Sequence, residues 1–292
     1  MRTTPSADRS LFARIVDNAA VVPPAAAPLG RALAEHRELC AGPASDLLGP
    51  LLVPVADASG LRSLTARRQG APTVQVRLVA RAGTRAEDTV AALETLRGAR
   101  TVQVTGVDLG ADADWRAALR WDLPLSVEVP RDPRDQHAAL RELSGAVDEA
   151  VRLQAALHAT STPEQPGPTP EDLAGFLVGC TETGLALTLT GGLHHAVRRT
   201  PSGSGPEEQH GVLNLLLAVH RVATGAGRGE VTDVLAEEDA GRLSDEVAAL
   251  DAEAAALVRD RFTSFASPAV LDPLRELAAL GLITQPQEET AS

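Results

Sequence analysis

Short runs of β-forming residues alternate along the chain with longer stretches whose apolar positions recur at helical spacing. The β-like runs are Ala13–Asp17, Pro50–Ala56, Thr73–Arg81, Arg100–Asp108, Leu123–Pro130, Arg152–Thr160, Leu185–Gly191 and Asp260–Ala266. Helical stretches follow at Pro28–Leu39, Ser59–Gln69, Ala86–Arg97, Asp112–Trp121, Arg134–Val147, Pro170–Gly184, Glu207–Thr224 and Leu271–Leu280. Strands separated by helices of this length pair in parallel, and eight such units close most naturally into a (β/α)₈, TIM-like barrel. Further helix from about Val231 to Arg259 makes a long helical insertion between strands 7 and 8. An open doubly wound sheet is the alternative, although the first strand lacks the GxGxxG turn of a dinucleotide site. The pattern gives one domain over residues 1–285 and a disordered tail over 286–292.

In a closed barrel the outer strand face lies under helices and is apolar, so the other face points into the lumen. That rule turns Gln75, Arg77, Val79 and Arg81 inward on the third run, then Gln103 and Thr105 on the fourth. Ser126 and Glu128 follow on the fifth, Gln154, Ala156 and His158 on the sixth, and Thr188 and Thr190 on the seventh. Five successive strands thus present a polar interior. Buried charges must satisfy one another, bind water or bind a ligand. An Arg77–Glu128 pair would be the purely structural solution. Glu128 and His158 fall late in their strands, toward the C-terminal rim where barrel active sites lie.

Composition narrows the chemistry. All 27 basic residues are Arg, which excludes a Schiff-base lysine, lysine-anchored pyridoxal phosphate and a Walker A lysine. A net charge of −12 and 2% aromatic residues argue against a nucleic-acid or anionic-membrane partner. Cys40 and Cys180 have no CxxC neighbour and read as small buried hydrophobes. No apolar run approaches membrane-spanning length and no signal-peptide pattern is present, so the expected location is the cytoplasm.

The strongest local signal is Thr190-Gly191-Gly192-Leu193-His194-His195 at the end of the seventh strand. If the strand phase persists, His194 points inward and His195 toward the helices or the next loop. Glu128, His158 and His194 would come from three consecutive strand ends. They could hold a divalent metal, or act without one as an acid/base set in which His195 takes part. Arg77, Gln103, Thr188 and Thr190 would orient substrate, with Asp17 and Asn18 contributing from the first strand and Ser264 from the last. His210 and Asn214 begin a helix whose free N–H groups could receive an anion. Arg198 or Arg199 could clamp an anionic substrate. Asp57 and Asp108 read as loop or cap residues.

Several segments resemble an actinobacterial protein family of barrel-like fold with no established reaction. They are Ile15-Val16-Asp17-Asn18-Ala19-Ala20 with Pro23-Pro24, Gly49-Pro50-Leu51-Leu52-Val53-Pro54 and Val127-Glu128-Val129-Pro130, followed by Gly192-Leu193-His194-His195, His210-Gly211-Val212-Leu213-Asn214 and Arg261-Phe262-Thr263-Ser264-Phe265. The resemblance implies a second acid where Asn18 stands, lysines at Ala156 and Thr188, arginine at His158, and Gly-Ser-Cys near Ala266-Ser267-Pro268. This chain departs from the pattern at each of those positions. The expectation is therefore an enzyme of the lyase, isomerase or cyclase type acting on a small polar, anionic or carbonyl-bearing metabolite. The rival is a catalytically silent barrel that binds a metabolite or a protein. Oligomeric state is left open.

Overall fold

The computed structural model describes residues 7–67, 70–147, 152–161, 166–199 and 209–284. The expected tail over 286–292, and the start of the helix expected from Glu207, lie outside these residues. Eight strands form one sheet: β1 (Val16–Asn18), β2 (Leu48–Pro54), β3 (Val74–Ala80), β4 (Val102–Leu109), β5 (Leu125–Glu128), β6 (Leu153–His158), β7 (Ala186–Thr190) and β8 (Phe262–Ser267). Neighbours pair in parallel in chain order, and β8 closes on β1 through Val16–Phe265, Asp17–Ala266 and Asn18–Ser267. The sheet is therefore a closed barrel and not an open, doubly wound one.

The helices are α1 (Leu29–Ala41), α2 (Ala58–Ala66), α3 (Ala86–Arg97), α4 (Trp115–Ala118), α5 (Pro133–Ser144), α6 (Pro170–Thr183), α7 (Val212–Ala223), α8 (Arg228–Ala236), α9 (Ala240–Ala248), α10 (Ala252–Arg261) and α11 (Leu271–Ala279). Their boundaries follow local chemistry. In α6 the Thr169 hydroxyl accepts from the Asp172 N–H at 3.2 Å while the Asp172 carboxylate accepts from the Thr169 N–H at 2.9 Å. This reciprocal cap satisfies two N–H groups the helix itself cannot. The fourth crossover is shorter than its sequence suggests, one α turn and a 3₁₀ turn over Leu119–Trp121.

Helix α7 explains the insertion. Its residues Val212 through Val219 are all buried and, apart from Asn214, apolar, so it is covered around its whole circumference. Such a helix needs cover on both sides. Helices α6, α8, α9 and α10 all pack against it. Among the described residues no helix is long and apolar enough to cross a membrane.

Alternation along the strands holds where expected: Val74, Val76, Leu78 and Ala80 are buried on the outer face of β3. It breaks in β4. There the register with β3 slips, from Val76–Val104 to Arg77–Gly106, leaving Thr105 as an extra residue. An inserted residue reverses the facing of everything beyond it. Gly106 and Asp108 therefore point into the lumen, where continued alternation would have turned Asp108 outward. Gly106 fits because a Cβ there would lie 2.8 Å from the Arg77 guanidinium and 2.7 Å from the Pro124 carbonyl.

Candidate functional site

The lumen is divided by a polar belt at mid-height. The Arg77 guanidinium pairs with Asp108 through Nε and donates through Nη2 to Ser126 Oγ at 2.6 Å. Gln154 Nε2 donates to the same hydroxyl at 2.7 Å. On the opposite side Ser264 Oγ donates to Asp17 Oδ2 at 2.7 Å, and Thr188 Oγ1 donates to the Ser264 carbonyl at 2.8 Å. Burial pushes the Asp17 carboxyl up to about 7, against the bond from Ser264 and the pull of Arg77.

Above the belt, Ala19, Leu52 and Ala266 form a small apolar cluster with Val22 and Val79. This cluster underlies a cavity of about 430 Å³ at the C-terminal ends of the strands. Glu128, His158, Thr190 and His194 line one part of its wall, and Pro23, Pro24 and Arg81 another. The cup thus combines polar and charged groups on its wall with an apolar flank made by the two prolines and the cluster beneath them.

Glu128 ends β5 half-buried, and its carboxylate forms no hydrogen bond or ion pair among the described residues. Burial raises its pKa above the usual carboxylate range, partly offset by Arg131 and Arg81. His158 ends β6, its Nδ1 and Thr190 Oγ1 3.2 Å apart. Burial first, then Arg131 and Arg81, depress its pKa, so the ring is neutral over a wider range than a free imidazole. His194 is held likewise, by burial and then by the adjacent His195. Arg131 fixes the rim here: it donates to the carbonyls of His158 (3.0 Å), Pro166 (2.5 Å) and Thr160.

The loop carrying His194 has a specific backbone requirement. Gly191 and Gly192 adopt φ of 74° and 76°, the left-handed region, and pass close to the β6 exit. A Cβ on Gly192 would lie 2.4 Å from the Ala159 carbonyl oxygen. Beyond the turn, Glu276 of α11 receives His195 Nδ1 at 2.8 Å, the Ala196 N–H at 2.7 Å and Arg199 Nη2 at 2.7 Å. His194 therefore faces the cup, while His195 is turned away from it.

Several sequence expectations need correction. His195 is a loop anchor and does not line the cup. Gln103 precedes the register slip, is exposed and lines neither cavity. Arg77, Asp17, Thr188 and Ser264 lie in or below the belt, bonded to protein groups, and none of them lines the cup. The partner of Arg77 is Asp108 and not Glu128. Asn18 points outward, 3.4 Å from His36 Nδ1, and accepts from the Ala20 N–H. His210 is buried against the Pro168 carbonyl at 2.8 Å. Asn214 accepts from the Arg198 N–H and donates to the carbonyls of Val234 and Glu237, which ties the insertion to the loop after β7. Arg199 is bonded to Glu276, and Cys40 is exposed where a buried residue was expected.

Glu128, His158 and His194 share one cavity, yet among the described residues no three His, Cys, Asp or Glu side chains are arranged to hold a metal ion. The triad does not fit a divalent metal. Sequence reasoning missed Asp108, which lines the cup, and Arg131 and Glu276, which position its rim. The glycine inside β4 was the available signal for Asp108.

Fold and site together define a closed (β/α)₈ barrel with a half-polar cup at the C-terminal ends of its strands. Comparison with protein-family models, with curated proteins and with solved structures finds no match.

Proposed function

We propose that the C-terminal cup binds a small carbonyl-bearing metabolite and that Glu128 transfers a proton to or from it, in a lyase, isomerase or cyclase type of reaction. The observation that carries this reading is a half-buried carboxylate, without a hydrogen-bond partner among the described residues, that faces the cup beside two imidazoles. A carboxyl with a raised pKa is a better base than a solvated one, and its protonated form persists to higher pH. His158 and His194, kept neutral by burial, can each donate to or accept from a carbonyl or enol oxygen. Thr190 sets the orientation of His158. The apolar flank favours a substrate with a hydrocarbon portion over a densely charged one. Residence in the cytoplasm, a metabolite rather than nucleic acid as partner, and kinship with the actinobacterial barrel family belong to the same reading.

The rival reading is a catalytically silent barrel that binds a metabolite or a protein. The observation in its favour is the mid-lumen belt, where most of the interior polar side chains satisfy one another. Screening carbonyl-bearing metabolites by thermal shift, then assaying turnover of those that bind, separates the two. The enzyme reading expects binding in the wild type and turnover lost by about 10²-fold or more in Glu128→Gln. Binding with no turnover of any ligand supports the silent barrel; turnover unchanged in Glu128→Gln overturns the role of Glu128.

A further inference from the structure

A second cavity, of about 740 Å³, occupies the opposite, N-terminal end of the barrel. In barrels of this kind that end ordinarily serves stability, and chemistry sits at the other. Here, in a chain of net charge −12, its lining carries an excess of basic groups: Arg14, Arg77, Arg152 and Arg259 face it, against Asp17 and Asp260. Arg77 is neutralised by Asp108. Among the described residues none of the other three guanidinium groups lies within ion-pair distance of a carboxylate.

Two of the three, Arg259 and Arg14, are nonetheless held in place by hydrogen bonds. Arg259 is largely buried and donates to the carbonyls of Phe262 (2.8 Å), Ala13 (3.0 Å) and Thr263 (2.5 Å). Those bonds fix its position without cancelling its charge. Arg14 adopts φ of 51°, a left-handed conformation rare outside glycine, with its N–H bonded to the Asp46 carbonyl at 2.7 Å. That conformation carries its side chain under the barrel, where Nη2 donates to Gln75 Oε1 at 2.5 Å. Arg152 enters β6 from the same end, and its side chain has no bonded partner among the described residues. Ser264, Thr263 and Gln154 add neutral polar groups to the wall.

We propose that this N-terminal chamber is an anion site that takes a phosphate group, free or as a phosphomonoester, between Arg14, Arg152 and Arg259. A tetrahedral dianion presents enough acceptor oxygens for several guanidinium forks at once, and charge-assisted bonds of this kind are the strong ones. The volume leaves room for a short organic body beyond the phosphate. The site is independent of the C-terminal cup and of any reaction there.

Calorimetric titration with inorganic phosphate and, separately, with glycerol phosphate tests it, each against sodium chloride at matched ionic strength. The expected result is saturable binding with Kd below about 1 mM for at least one of the two, with no counterpart in chloride. Tighter binding of the ester identifies a phosphorylated metabolite; tighter binding of inorganic phosphate identifies the free ion. Arg152→Gln and Arg14→Gln, both at exposed positions, should each weaken binding about tenfold or more with unchanged circular dichroism. Glu128→Gln should bind as the wild type does. The proposal is overturned by non-saturable heats, by chloride reproducing the effect, or by both arginine variants binding like the wild type.

Discussion

Arg77 and Asp108 hold one ion pair across the partition between the two cavities, the guanidinium on the wall of the N-terminal chamber and the carboxylate on the wall of the C-terminal cup. Their side chains are 12% and 14% exposed, so water screens the pair little. Removing one partner leaves a charge without compensation in the lumen. Arg77→Met and Asp108→Asn are each expected to lose about 3 kcal/mol of unfolding free energy, and the double variant less than the sum. Urea denaturation of the full mutant cycle measures this. Single losses below about 1 kcal/mol would show that the lumen is wetter than described.

Two buried groups oppose each other in their pH dependence. Asp17 rises from 3.8 to about 7 on folding, so the folded protein binds the extra proton between those values. Its contribution to stability is fully present below about pH 4 and is lost as pH rises through 7. His36 falls from 6.5 to about 4, chiefly by burial. Its contribution is present above pH 6.5 and is lost as pH falls through 4. The wild-type profile therefore understates both. Asp17→Asn should gain stability relative to wild type as pH is raised from 4.5 to 8, and a difference that stays flat over that range would contradict the assignment.

The glycine pair after β7 should be intolerant of side chains in a definite order. At Gly191 an added Cβ meets the Thr160 hydroxyl at 2.0 Å, a group that can rotate; at Gly192 it meets the Ala159 carbonyl, which cannot. Both positions also carry left-handed strain in any other residue. Gly192→Ala is expected to cost about 2 kcal/mol or more, and Gly191→Ala less. Thermal and chemical denaturation rank them, and the reverse order would refute the steric account.

Glu276 sets the orientation of the loop that presents His194. Glu276→Ala removes one backbone and two side-chain bonds, leaving His195 and the Ala196 N–H without their partner. A loss of about 1–3 kcal/mol is expected, with Glu276→Gln intermediate because an amide oxygen can still accept. Hydrogen exchange at Leu193 through Val197 should quicken in the alanine variant. Exchange unchanged in that loop would mean that the two glycines alone define it.

The eight strands were legible because parallel barrel strands read as apolar alternation bounded by helices, a signal each segment carries by itself. His194 does face the cup, but not through a continued strand phase: β7 ends at Thr190, and the left-handed turn at Gly191 and Gly192 places it there. What failed to show depends on partners distant in the chain. Asn214 looks like a helix-start ligand, but its bonds reach the end of α8, and His195 looks catalytic until Glu276, 81 residues later, is placed beside it. Asp108 was misread because one additional residue at Thr105 reverses the facing, and composition does not reveal a slipped register.

Arg131 ties the exits of β5 and β6 into a single rigid sector, since it lies three residues past Glu128 and grips the backbone of His158 itself. Across the rim, one bond from Arg81 to the Pro23 carbonyl spans the gap. The Arg131 guanidinium thus sets how the strand that ends in the acid and the strand that ends in the imidazole leave the barrel relative to each other.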